Sequence, residues 1–186
     1  MKKTIFITGA AKRIGKEIAL CFSEMGWNII IHYNSSKNDA QVLADEINGN
    51  NPDSAITVQG NLDVKEDVEK VINEVRDAFP TIDLLINNAS TFYPTPIEDI
   101  SEEHWDKLVG SNLKGPLFLI KGLKDKLKES KGSIINITDT NLSKGVANYS
   151  IYSAAKAGLE SITKGLAREL APVSYTHLRA HETHDD

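Results

Sequence analysis

Cysteine is nearly absent: among 186 residues there is one, Cys21. That excludes an internal disulfide framework and fits a reducing compartment. Cys21 lies in an apolar helical pattern and is expected in the core. No apolar run approaches the length of a membrane span. The N-terminal MKKTIFITGAAK has too short an apolar stretch for a secretion signal, and Thr8-Gly9 interrupts it. A cytoplasmic protein is expected, with no membrane partner. Positive charge is not in excess: 21 Lys and Arg face 26 Asp and Glu, a net charge of −5. That argues against nucleic acid as a partner. Internal repeats and low-complexity segments are also missing. What remains, 40% hydrophobic and 25% charged residues, is ordinary for one globular domain.

The pattern along the chain is strand, turn, helix, repeated. Lys3 to Thr8 reads as a buried strand, followed by the turn Gly9-Ala-Ala-Lys-Arg-Ile-Gly15. A helix follows, with Ile14, Ile18, Cys21, Phe22 and Met25 on one stripe, and Gly26 ends it. Free amides and the helix dipole make such a turn an anion site. The usual dinucleotide fingerprint is G-x-G-x-x-G. This turn lacks the middle glycine. Gly9 permits the tight turn, Gly15 the close helix–sheet approach, and Arg13 stands between them with Ile14 beside it.

The second strand, Asn28 to Tyr33, lacks a terminal acid. An acid there would bind a ribose 2′-hydroxyl and repel a 2′-phosphate. The chain instead runs His32, Tyr33, Asn34, Ser35, Ser36, Lys37. Tyr33, Asn34, Ser35 and Ser36, with Arg13, suit a phosphate, so NADPH is favoured over NADH. The same residues also read as a polar loop with a serine helix cap.

Asn38 to Ile47 is expected helical, with Val42, Leu43 and Ile47 inward. Ala55 to Gln59 is the third strand, with Asn61 and Leu62 just past its end. Val64 to Phe79 is a helix with Val64, Val68, Val71, Ile72, Val75 and Phe79 on one face. Ile82 to Ile86 is the fourth strand. After it come Asn87, Asn88, Ala89 and Ser90, then a loop with Phe92, Tyr93 and two prolines that could cover a planar ligand. Ser101 caps a helix expected to reach about Leu127, kinked where Pro116 leaves the Asn112 carbonyl without its amide. Ser133 to Thr138 is the fifth strand, with Asp139 at its end. Ser150 to Leu170 is the last helix. Strands alternating with helices over short loops predict a doubly wound parallel sheet of the α/β class, Rossmann-like.

That last helix carries Tyr152 and Lys156, and Asp139 lies thirteen residues before the tyrosine. Residues four apart share a helix face. A nearby cation favours the phenolate, which would make Tyr152 a usable proton donor near neutral pH.

Together, Thr8-Gly9-x-x-x-Arg-Ile-Gly15, Asn87-Asn88-Ala89, Asn112 and Tyr152-x-x-x-Lys156 resemble the short-chain dehydrogenase/reductases over about residues 1 to 172. The serine usual in that family is absent, and Asp139 replaces it. With Arg13 and the loop NNASTFYPTP, this resembles the pteridine reductase subgroup. The resemblance implies reduction of a pterin-like small molecule by NADPH, with Asp139, Tyr152, Lys156 and Asn112 catalytic. It implies cofactor contacts at Gly9, Arg13, Ile14, Gly15, Tyr33, Asn34, Ser35, Ser36, Asn61, Leu62, Asn88, Ala89, Ser90, Tyr152 and Lys156. Ser90, Phe92, Asp139 and Tyr152 would contact substrate, with Phe92 stacked on the pterin. Asn112 would extend a proton relay to Lys156. No metal is implied. The parent would be a homodimer or homotetramer, built on the helices near Asn112 and Tyr152. Two alternatives stay open: a reductase of 3-oxoacyl thioesters or other ketones, and a non-catalytic NADP-binding sensor.

Residues 173–186 show no strand pattern and resemble translated sequencing-adaptor DNA. We expect them to be a non-native read-through that replaces the family's last strands and substrate-covering helix. The chain as given is then expected to be poorly soluble and inactive, and the longer parent an enzyme. His177, His181 and His184 fall in this segment, and a metal reading of them is set aside.

Overall fold

A computed structural model describes residues 2–142 and 144–170. The expectations for 173–186 lie outside those residues. Five strands form one sheet: β1 (Thr4–Ile7), β2 (Asn28–Tyr33), β3 (Ala55–Gln59), β4 (Leu84–Asn87) and β5 (Ser133–Asn136). Their order is β3-β2-β1-β4-β5, and every pairing is parallel. This is the doubly wound α/β architecture predicted. The chain winds outward from β1 to β3, then crosses back to β4 beside β1. That reversal opens a crevice at the C-terminal ends of β1 and β4, where open α/β sheets take their ligands.

The helices are α1 (Arg13–Glu24), α2 (Lys37–Asn50), α3 (Lys65–Ala78), α4 (Glu102–Val109), α5 (Gly115–Ser130) and α6 (Ser150–Leu170). They cover both faces, so the strands are apolar on both sides. One core layer joins Ile5, Ile7, Ile29 and Ile31 to α1 and α2. The other joins Phe6, Ile30, Leu85 and Ile134 to α3 and α5.

Three local expectations are corrected. On α1 the buried residues are Gly15, Ala19 and Ser23, whereas Ile14 and Met25 are exposed, as is Cys21. The helix lies close to the sheet, and only small side chains fit that seam. Ile18 and Phe22 pack at its margin. On α2, Val42 is exposed, and Ala40 and Ala44 join Leu43 and Ile47 inside. The single kinked helix from Ser101 is instead α4, a π-helical turn at Gly110–Lys114, and α5. Pro116 falls in the first turn of α5, where a missing N–H is tolerated. The discontinuity is therefore absorbed by the π turn rather than by a kink at the proline. Ser101 does cap α4, its hydroxyl accepting from the His104 amide at 3.2 Å.

No helix among the described residues is long and apolar enough to cross a membrane.

Candidate functional site

The turn after β1 is shaped by close approach. Gly9 has φ +62°, and a Cβ there would lie 3.0 Å from the Ala89 backbone. A Cβ on Gly15 would meet the Gly9 carbonyl at 2.5 Å and the Asn88 amide at 2.7 Å. Thr8 and Asn88 lock this turn to the end of β4. The Thr8 hydroxyl accepts from the Asn88 and Ala89 amides, both at 2.9 Å. The Asn88 side chain donates to the Thr8 carbonyl at 2.8 Å and the Gly9 carbonyl at 3.1 Å. Thr8, the opening residue of the glycine-turn motif, is thus a structural member of the site.

An open cleft of about 770 Å³ lies over this turn. Gly9, Arg13, Ile14 and Gly15 line it, together with Asn34, Asn61 and Leu62 and with Asn88, Ala89, Ser90 and Phe92. All were expected. Lys12, His32, Thr91 and Ser111 also line it and were not. Tyr33, Ser35 and Ser36 do not line it. Ser36 occupies the α2 N-cap position, yet its side chain makes no capping hydrogen bond. Arg13 adopts a left-handed φ of +50°. That is the conformation a glycine would take most easily.

The donor chemistry of this cleft fits a dinucleotide. The amides at the first turn of α1 have no carbonyl partners within the helix. Two cations, Lys12 and Arg13, flank them, and Lys12 also pairs with Asp39 on α2 at 3.0 Å. An anion such as a pyrophosphate would find both amide donors and positive charge there.

A smaller pocket of about 60 Å³ adjoins, lined by Asp139, Tyr149, Tyr152, Ser153 and Phe92, among others. Phe92 borders both spaces. The tyrosine hydroxyl of Tyr152 donates to Asp139 Oδ2 at 3.0 Å, and Asp139 Oδ1 accepts the Asn141 amide at 2.7 Å. Lys156 is buried, its Nζ donating to the Ile137 carbonyl at 2.9 Å and lying 5.9 Å from the Tyr152 ring centroid. The three residues singled out on the last strand and helix are therefore in one constellation.

Two further contacts set the walls. The loop after β4 is tied to the segment before α6 by the Thr95 amide, which donates to the Asn148 carbonyl at 2.6 Å. This brings Phe92 flat onto Tyr149, centroids 4.5 Å apart, and edge-on to Tyr152 at 4.8 Å. Asn112, fully buried in the π turn, accepts from the Ser90 hydroxyl at 2.8 Å and donates to the Thr91 carbonyl at 2.8 Å. Its side chain thus fixes the start of the Phe92 loop.

The family model described as short chain dehydrogenase matches residues 3–177. The 3-oxoacyl-[acyl-carrier-protein] reductase FabG of Staphylococcus epidermidis is 34% identical over 172 residues, 92% of this chain and 70% of that protein. The 3-oxoacyl-[acyl-carrier-protein] reductase of Synechocystis is 36% identical over 166 residues, 89% of this chain and 67% of that protein. Pteridine reductase 1 of Leishmania tarentolae is 33% identical over 205 aligned positions, 89% of this chain and 70% of that protein.

Proposed function

This chain belongs to the short-chain dehydrogenase family, and from that premise we propose that it is an NADPH-dependent reductase in which Tyr152 supplies the proton. The observation that carries this reading is the Asp139–Tyr152–Lys156 constellation beside the glycine-turn cleft. Bound NADPH would supply a hydride to the carbon of a polarised double bond. The chain's own residues do the rest. Arg13 and the α1 amides hold phosphate. Tyr152 turns its hydroxyl proton from Asp139 to the substrate oxygen or nitrogen. The Lys156 ammonium beside the ring stabilises the phenolate left behind. Pro116 offers no N–H to the Asn112 carbonyl, so that carbonyl is the group a water relay toward Lys156 would use.

Between substrates, the relatives support a 3-oxoacyl thioester better than the pteridine expected from the sequence. Several of the proteins to which the chain is similar are named for that reaction. The pteridine keeps one specific observation in its favour. The Asp139 carboxylate is within hydrogen-bond reach of Tyr152, and the Phe92 ring stands at the same pocket. A carboxylate can accept from an amino-substituted ring, which a serine does less well. Assembly into a homodimer or homotetramer belongs to the same reading, and exposed Trp105 on α4 and Phe118 on α5 are consistent with it.

The test is NADPH oxidation by the full-length protein with an acetoacetyl thioester and with a dihydropterin, side by side. Turnover of the thioester that survives Asp139→Ser supports the first substrate. Turnover of the pterin that is lost in Asp139→Ser supports the second. NADPH binding without turnover of either contradicts both substrates and favours another ketone substrate or a sensor.

A further inference from the structure

His32, next to last in β2, is 1% exposed, yet its ring faces the glycine turn rather than apolar core alone. Its Nδ1 lies 3.2 Å from the Gly9 amide nitrogen. Its Nε2 lies 3.0 Å from the Gly60 carbonyl, at the end of β3. An amide can only donate and a carbonyl can only accept. Nδ1 must therefore be the bare nitrogen and Nε2 must carry the proton. An imidazolium would set a second N–H against that of Gly9, so the geometry excludes the charged form. Burial agrees, pushing the imidazole down to about 4 from its ordinary 6.5. The Phe6 ring packs edge-on 6.4 Å away.

The same residue holds the next amide too, because the His32 carbonyl accepts from the Ala10 amide at 2.9 Å. Gly9 and Ala10 are thereby tied inward to His32. The amides left for an anion are those of the first α1 turn, next to Lys12 and Arg13. Gly9 is also the residue whose left-handed backbone sets the direction of that turn.

We infer that His32 is a positioning residue of the cofactor cleft: a neutral imidazole, protonated on Nε2, that ties the glycine turn to the end of β3 and so aims the α1 amides at the pyrophosphate. The inference rests on the reading of the cleft as an NADPH site. Removing the ring leaves the Gly9 amide and the Gly60 carbonyl without these partners. The turn then loses its reference to β3, and affinity for the dinucleotide falls. The adjoining pocket at Tyr152 is untouched.

The first measurement is ¹⁵N NMR of the cofactor-free, full-length protein near neutral pH. A bare Nδ1 and a protonated Nε2 at His32 are expected; a protonated Nδ1 overturns the inference. The second is NADPH affinity by titration for wild type, His32→Leu and His32→Gln. We expect the Leu variant to bind at least about tenfold more weakly. The Gln variant, which keeps one donor and one acceptor, should lie between. At saturating NADPH, kcat should stay within about twofold while KM for NADPH rises. A folded Leu variant that binds as tightly as wild type overturns the inference. If the Leu variant does not fold, the wild-type NMR result decides. Failure of wild type to bind NADPH at all would sink the functional reading instead, and the cofactor-free NMR measurement tells the two failures apart.

Discussion

At the scale of single residues, Arg13 carries two opposed roles. Its left-handed backbone costs about 1 kcal/mol relative to glycine, while its guanidinium adds charge where phosphate is expected. Arg13→Gly should therefore raise the midpoint of urea unfolding yet weaken NADPH binding, measured by titration. A variant that loses stability and binds NADPH as tightly as wild type would contradict both halves. The residues that were legible here are those whose chemistry is local: Tyr152, Lys156, Asp139 and the turn glycines announce themselves by type and spacing. Thr8 is legible only as part of the glycine-turn motif, and the role of His32 is not legible at all. Both act through bonds to residues far along the chain, Asn88 and Ala89 for one and Gly60 for the other. A polar residue inside an apolar strand run carries no sign of which distant backbone it will meet.

At the scale of elements, the placement of α6 decides whether Tyr152 and Lys156 face the pocket. A buried polar chain sets that placement. The Asn87 side chain donates to Asn136 Oδ1 at 2.7 Å, across the β4–β5 pair, and Asn136 donates to Thr163 Oγ1 at 2.8 Å. Thr163 lies two turns beyond Lys156 on the same face of α6. Thr163→Val keeps the volume but leaves the Asn136 amide without this acceptor. A loss of about 1–3 kcal/mol is expected, read as a lower urea midpoint at unchanged slope. The other element-scale test is Gly15→Ala. Its Cβ cannot be placed 2.5 Å from the Gly9 carbonyl, so α1 must shift and NADPH affinity should collapse. Element bounds were legible for β2 and β3 and for the start of α6, where turn residues border the apolar runs. The α1 stripe was misread because the closest seam in the fold takes the smallest side chains, which a search for large apolar residues passes over. The π turn at Gly110–Lys114 was invisible for another reason: a shift in hydrogen-bond spacing leaves helix-forming composition unchanged.

For the molecule as a whole, the βα alternation made the parallel sheet legible, because short connections leave few other arrangements. The pH dependence of stability follows from the groups that sheet buries. His32 titrates at about 4 when folded and near 6.5 otherwise. The unfolded chain thus binds the proton more readily between those values. Its contribution is fully present above pH 6.5, falls as pH drops toward 4, and is lost below that. The difference amounts to roughly 3 kcal/mol at most. Asp63 has the opposite sign. Burial raises its carboxyl above the usual range, against the pull of Lys107, Asn61 and Lys114. Its protonation therefore favours the folded state as pH falls and offsets part of the loss. Urea titrations from pH 7 to 4 should show declining stability, and His32→Gln should flatten the curve. A decline unchanged in that variant would assign it to other groups.

The most direct test of the central claim, that Tyr152 is the proton donor of an NADPH-dependent reductase, is a comparison of wild type with Tyr152→Phe. The full-length protein would be measured for NADPH affinity and for NADPH oxidation on whichever substrate proves active. The account predicts oxidation reduced by about 100-fold or more, with NADPH affinity nearly unchanged. Oxidation that persists at the wild-type rate in Tyr152→Phe would contradict it.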